Sequence, residues 1–162
     1  MANVWFVGDL HAGHEKVHNF RNQFNSEQEH FEQMAENYHK VVGKRDKVFF
    51  MGDTVFTHER LKQVASWAGD SKVLILGNHD TDKIGIRTLG WHFDEVYAYL
   101  KYKEFWLSHF PIHPEELRGR KNIHGHVHSA TVPDTRYFNT SLENTNYCPI
   151  DLNTIRKRME VV

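Results

Sequence analysis

The chain has 162 residues, long enough to bury a core and short enough to read as one domain, 1–162. Its 20 Lys and Arg against 21 Asp and Glu leave a formal charge of -1, which excludes capture of nucleic acid by bulk charge. A single cysteine, Cys148, excludes an intrachain disulfide and a thiolate zinc site, and no apolar run approaches the length of a membrane span. Met1 to Leu10 carries no basic segment followed by an apolar one, so a reducing cytoplasm is the expected location.

In chain order, Val4 to Val7 is the first expected strand. A helix follows from Ser26, whose hydroxyl with Glu29 forms a capping-box start. Phe31, Met34, Ala35, Tyr38, Val41 and Val42 recur at helical spacing, and Gly43 is the expected C-cap. Val48 to Met51 reads as a second strand, His58 to Ala68 as a second helix with Leu61, Val64, Ala65 and Ala68 on one face, and Val73 to Leu76 as a third strand. The strands are near-continuous apolar runs, the pattern of strands covered on both faces. Beyond them the chain reads mainly as β, at Phe93–Ala98, Glu104–Leu107, Lys121–Ile123 and Thr135–Leu142, with a short helix starting near Asp151. This βαβαβ order followed by strands indicates an α/β or α+β fold with stacked sheets.

The polar residues just past these strands carry the chemical signal. Gly8-Asp9-Leu10-His11 follows the first, Gly52-Asp53 the second and Gly77-Asn78-His79-Asp80 the third. Ser108-His109 and His124-Gly125-His126-Val127-His128 follow two later strands. In open α/β sheets ligands collect at the carboxyl ends of strands, so these segments are expected to converge. On an extended strand end, Asp9 with His11 and His126 with His128 would each point to one side. A carboxylate such as Asp53 has two oxygens and can span two metals roughly 3.5–4 Å apart. Imidazole, carboxylate and amide donors without thiolate suit Mn, Fe or Zn better than Cu(I), an Fe–S cluster or Ca. Taken singly, each residue is ordinary turn chemistry; the ordered set is not.

That ordered set, Asp-x-His, Gly-Asp, Gly-Asn-His-Asp, a His after a strand and Gly-His-x-His, spans Asp9 to His128 and resembles the calcineurin-like metallophosphoesterases. The opening, Phe6 to Phe24, and the tail, Asn139 to Ile155, are most similar to short single-domain bacterial and phage members. The resemblance implies a four-layer α-β-β-α sandwich of two mixed sheets flanked by helices. It implies two divalent ions, manganese first, with iron, zinc, nickel or cobalt as alternatives. Asp9, His11 and His128 would bind one ion and Asn78, His109 and His126 the other, with Asp53 bridging. His79 would be the general acid, oriented by Asp80. The implied function is hydrolysis of a phosphate ester by metal-bound hydroxide, as a phosphodiesterase. A phosphomonoesterase acting on nucleotides or phosphoproteins, or a non-catalytic scaffold of the same fold, are the alternatives. Nucleotides, cyclic nucleotides and nucleic-acid ends are the substrates in view.

The remaining histidines of the 13 divide by position. His14, three residues past His11, is a candidate to support the first ion without binding it. His113 and His124 are expected in surface or packing roles, and His18, His30, His39, His58 and His92 in structural or solvated ones. Arg118, Arg120 and Lys121 read as a solvated cluster.

Overall fold

A computed structural model describes residues 1–161. Its elements alternate early and then run mostly as strands: β1 (Val4–Val7), α1 (Glu27–Val41), β2 (Lys47–Phe50), α2 (His58–Ala65), β3 (Ser71–Ile75), α3 (Ile86–His92), β4 (Glu95–Tyr97), β5 (Tyr99–Tyr102), β6 (Phe105–Ser108), β7 (Lys121–His124), β8 (Tyr137–Asn139), β9 (Ile150–Asp151) and α4 (Leu152–Arg158). They form two mixed sheets, ordered β4-β3-β2-β1-β9 and β5-β6-β7-β8. Strands β1 to β4 are parallel with β9 antiparallel at the edge; β6, β7 and β8 are parallel with β5 antiparallel.

Strict alternation along each strand explains the near-continuous apolar runs. Val7, Val48, Phe50 and Leu74 point outward to Phe31, Met34 and Tyr38 of α1 and to Leu61 and Val64 of α2. Phe6, Phe49, Met51, Val73 and Ile75 point inward, where they meet Phe105, Leu107 and Ile123 of the second sheet and Ile155 of α4. Both faces of the first sheet are therefore dry, as the sequence requires. The outer face of the second sheet is covered only in part, by the segment 110–120, where Trp106 Nε1 donates to the Leu117 carbonyl and the Asn122 side chain holds Ile112 N.

Several expected boundaries move for identifiable reasons. Ser26 caps α1 by accepting from Glu29 N, but the Glu29 carboxylate reaches Asn25 N, one residue before the cap. The helix ends on extended Val42 rather than on Gly43, whose N–H donates to Asp46 instead. Helix α2 stops at Ala65, with Ser66 as its cap. The expected strand 93–98 is β4, after which the chain crosses at Ala98 into the second sheet as β5. The expected strand 135–142 is only β8, because Thr140 and Leu142 leave it to bond Gly8. Helix α3 had no sequence expectation. It has seven residues, a glycine, no side-chain cap and one fully buried side chain, Leu89, so packing rather than propensity holds it.

Asp46 closes the turn between α1 and β2. Its carboxylate accepts from Asn3 N (2.7 Å), Trp5 Nε1 (2.8 Å) and Gly43 N (2.8 Å). Burial alone would raise this carboxyl; the three hydrogen bonds outweigh it and hold the group below its ordinary value of 3.8. A depressed carboxyl contributes stability above its unfolded value and loses it as pH falls through the folded one. Asp46→Ala is expected to cost about 1–3 kcal/mol at pH 7 in urea unfolding. The gap between wild type and variant should shrink on acidification below the ordinary carboxylate range; a gap independent of pH would remove Asp46 from this role.

Candidate metal centre

The loops beyond the strands continue the sheet's pairing. Asp9 N donates to Gly52 O, His11 N to Asp53 O and Ala12 N to Thr54 O, at 3.1, 2.9 and 3.0 Å. Along this seam the backbone turns left-handed. Asp9, His11, Asp53, His126 and His128 have φ of 52°, 54°, 48°, 72° and 50°. The expected extended strand ends are thus corrected: same-side convergence comes from left-handed residues, a region that Asp and His enter more readily than most side chains. Glycines let the loops approach. A Cβ on Gly52, itself at φ 93°, would stand 2.3 Å from His109 Nδ1, and one on Gly125 2.5 Å from Asp9 Oδ2.

Two groups of donors result, Asp9 with His11 and His128, and Asp53 with His109 and His126; within each, the donor atoms lie within 4.8 Å of one another. His11 Nε2 and His128 Nε2 stand 4.0 and 3.9 Å from Asp9 Oδ1. His109 Nε2 is 3.4 Å from Asp53 Oδ2 and 3.1 Å from Asn78 Oδ1, which adds Asn78 to the second group. The structure thus brings together all seven residues expected as ligands.

The hydrogen-bond partners determine where the lone pairs face. His109 Nδ1 lies 2.8 Å from the Met51 carbonyl, which only accepts, so Nδ1 carries the proton and Nε2 turns a lone pair toward Asp53 and Asn78. His128 Nδ1 likewise donates to Glu143 Oε1 at 3.0 Å, leaving Nε2 toward Asp9. Burial lowers His126, and burial with the Arg21 charge lowers His11 well below 6.5, so both are neutral donors at pH 7. Burial would lower His109 too, but the adjoining Asp53 carboxylate and the charge of Asp9 outweigh it and raise the group. A field that favours a proton there favours any cation. Asp9 Oδ1 and both ring nitrogens of His11 are buried without a hydrogen-bond partner. Such orphaned groups are costly unless something positive sits among them, and the N/O donor set fits divalent transition ions.

Residues without a sequence expectation hold this arrangement. Arg21 is fully buried; it donates to Asp9 O (2.6 Å), Leu10 O (3.3 Å) and Glu143 Oε1 (2.9 Å), and contacts His30 Nε2 (2.9 Å). Glu143 in turn orients His128. Ser141 Oγ and His126 N both donate to Asp9 Oδ2, while Asn139 and Asn144 donate to the His128 carbonyl. The sequence signals for these were the family-like opening, Phe6 to Phe24, which contains Arg21, and the family-like tail beginning at Asn139.

The expectation that Asp80 orients His79 is corrected. Asp80 is buried and takes Asp53 N, Gly77 N, Thr54 N and Val55 N, clamping the loop that presents Asp53. Burial is the main reason its carboxyl rises to about 6. The carboxylate on His79 Nδ1 is Asp82 Oδ2, at 2.7 Å. His79 N donates to Asp53 Oδ1 (2.9 Å), so the ring, half-exposed, stands beside the second group. His14 packs on His11, ring centroids 5.5 Å apart; its backbone N–H donates to the His11 carbonyl at 3.2 Å, while its Nδ1 has no hydrogen-bond partner. His124 is buried with Nδ1 on Gly125 O, and His113 caps the 3-10 turn at Pro114–Glu116.

Comparison with known proteins places this geometry. A family model described as calcineurin-like phosphoesterase matches residues 2–155. The Gene 66 protein of Mycobacterium phage L5 is 30% identical, with 82% of this chain and 80% of that one covered. An uncharacterized protein of Methanocaldococcus jannaschii is 26% identical over 99% of this chain and 93% of its own. A crystal structure of a protein of unknown function from Aquifex aeolicus superposes with a TM-score of 0.76 at 27% identity, covering 97% of this chain and 99% of that one.

Arg21→Met would strand the largely buried Glu143 carboxylate, which Arg21 and His128 hold at about 2 despite burial. Removing one partner of a buried ion pair costs about 3–5 kcal/mol. Urea unfolding of the metal-free variant should show a loss of that size; a loss within about 0.5 kcal/mol, typical of a surface substitution, would mean that the pair does not hold the loops.

Proposed function

The chain belongs to the calcineurin-like phosphoesterase family, and we propose that it is a phosphodiesterase using two divalent ions, manganese first among them. The observation that carries this reading is the pair of converging donor groups with orphaned lone pairs. Asp9, His11 and His128 would hold one ion and Asn78, His109 and His126 the other, with Asp53 between them. When bound, such ions polarise phosphoryl oxygens and ionise water near neutral pH.

The chain's own residues supply the rest. Asp9 and Asp53 contribute two negative charges to a site receiving four positive ones, so an anionic ester is attracted locally although the whole chain carries -1. Asp82 holds Nδ1 of His79 and leaves Nε2 to carry the proton that the departing alkoxide needs. As the water oxygen bonds to phosphorus, the P–O ester bond breaks opposite to it and that proton passes to the leaving oxygen. His79 is 46% exposed and His128 32%, so the rim is open enough for substituents on both sides of the phosphorus. That openness favours a diester over a monoester.

Metal-free protein titrated with Mn²⁺ should gain turnover on bis-p-nitrophenyl phosphate above that on p-nitrophenyl phosphate. Asp53→Asn should lose more than about 100-fold of it, since even residues that merely orient ligands are worth 10–100-fold. His79→Ala should bind Mn²⁺ as before and lose about 10²–10⁴-fold on esters with poor leaving groups, with Asp82→Ala losing less. If the protein binds two Mn²⁺ and cleaves neither ester, the hydrolase reading fails. If His79→Ala no longer binds metal, the acid role fails.

A further inference from the structure

Two of the chain's eleven phenylalanines, Phe20 and Phe110, are strongly exposed, at 47% and 51%. An exposed apolar side chain is ordinary when alone. These two are paired by position. Phe20 stands against both imidazoles of the first donor group, with ring centroids 5.5 Å from His11 and 5.7 Å from His128. Phe110 stands against both imidazoles of the second, 5.3 Å from His109 and 4.3 Å from His126. Neither contacts the other's group in this way, so each end of the centre has its own aromatic wall.

Each wall borders a hollow of ligand size. The one at Phe20 has a volume of about 300 Å³ and is lined also by His11, His128, Ser129 and Glu143. The one at Phe110 is about 380 Å³ and is walled by Tyr99, Trp106 and Ile112, with Tyr99 63% exposed. The two share no lining residue; the first reaches His11 and His128, the second His109. Sites for small ligands run from roughly 300 to 1,000 Å³, so each hollow takes one planar group.

We propose that the two hollows receive the two ester substituents of a phosphodiester joining two nucleosides, with one base on Phe20 and the other on Phe110. This rests on the phosphoesterase reading above. A monoester has one substituent and would leave one aromatic wall without a function. Base–aromatic stacking tolerates any base, so the walls select for planar groups rather than for sequence. With a formal charge of -1 the chain has no bulk attraction for a polymer backbone, which points to a short, dinucleotide-sized substrate.

The test compares adenylyl-adenosine, bis-p-nitrophenyl phosphate and methyl p-nitrophenyl phosphate on wild type, Phe20→Ala, Phe110→Ala and the matching Trp variants, with Mn²⁺ present. Each alanine variant is expected to lose about 5- to 150-fold in kcat/KM on the two diesters bearing two planar groups, mainly through KM. Tryptophan should restore it. On the methyl ester only one of the two positions should matter. Equal losses on all three substrates, or none, would overturn the proposal. Calorimetric binding of adenylyl-adenosine to the Mn²⁺-treated protein separates the two readings. Binding that both alanines weaken, without turnover in wild type, keeps the two-wall site and sinks the hydrolase. Turnover with binding indifferent to both alanines does the reverse.

Discussion

Everything around the centre answers one electrostatic constraint: carboxylate, amide and imidazole lone pairs face one another where little in the chain can neutralise them. Asp9 Oδ1 and both nitrogens of His11 have no hydrogen-bond partner, and His109 turns its free lone pair on two further acceptors. Left to itself such a cluster would splay apart. It holds because the backbone is over-determined. Five left-handed residues, each costing of order 1–3 kcal/mol, persist only where the surroundings leave them no alternative. Asp80 supplies part of that restraint by taking four backbone N–H groups from the loop of Asp53 and from Gly77.

The rest of the restraint ties the two ends of the chain together. Arg21 and Glu143 are separated by 122 residues, yet one guanidinium fixes the carbonyls of Asp9 and Leu10 while pairing with the carboxylate that orients His128. Glu27 adds a second tie, accepting from Gly13 N and from Arg60 at the start of α2. The helices therefore do more than cover the first sheet. Their termini anchor the loop that follows β1.

This division explains what was legible in the sequence. Features written in neighbouring residues could be read: the apolar runs of β1 to β3, the Ser26 cap, and the polar residues at each strand's carboxyl end. Their convergence followed from sheet topology. Features depending on tertiary context could not. Helix α3 has too little periodicity to announce itself, and the crossing at Ala98 divides what reads as one strand. The family resemblance implied that Asp80 orients His79, but beyond β3 the turn sends Asp80 inward to the backbone and leaves His79 at the rim, where Asp82 is its neighbour three residues on. Arg21 and Glu143 carried no local mark, since a buried ion pair looks like two surface charges until the chain is folded.

The same logic separates affinity for the phosphate from choice of the ester. The phosphate's attraction to the proposed ions is short-ranged and blind to what the phosphate is attached to; the chain's overall charge adds nothing to it. Selection must therefore come from what surrounds the centre. Around it the chain offers rings rather than cations: Phe20 and Phe110 at the two ends, with Phe56 stacked on His11 and 5.6 Å from His79. Aromatic rings packed against imidazoles would serve twice, shielding the donor groups from water and presenting an apolar surface to whatever the phosphate carries. On the proposed reading, a centre built this way would distinguish esters by the shape and planarity of their substituents, with the side chains that also pack against its histidines.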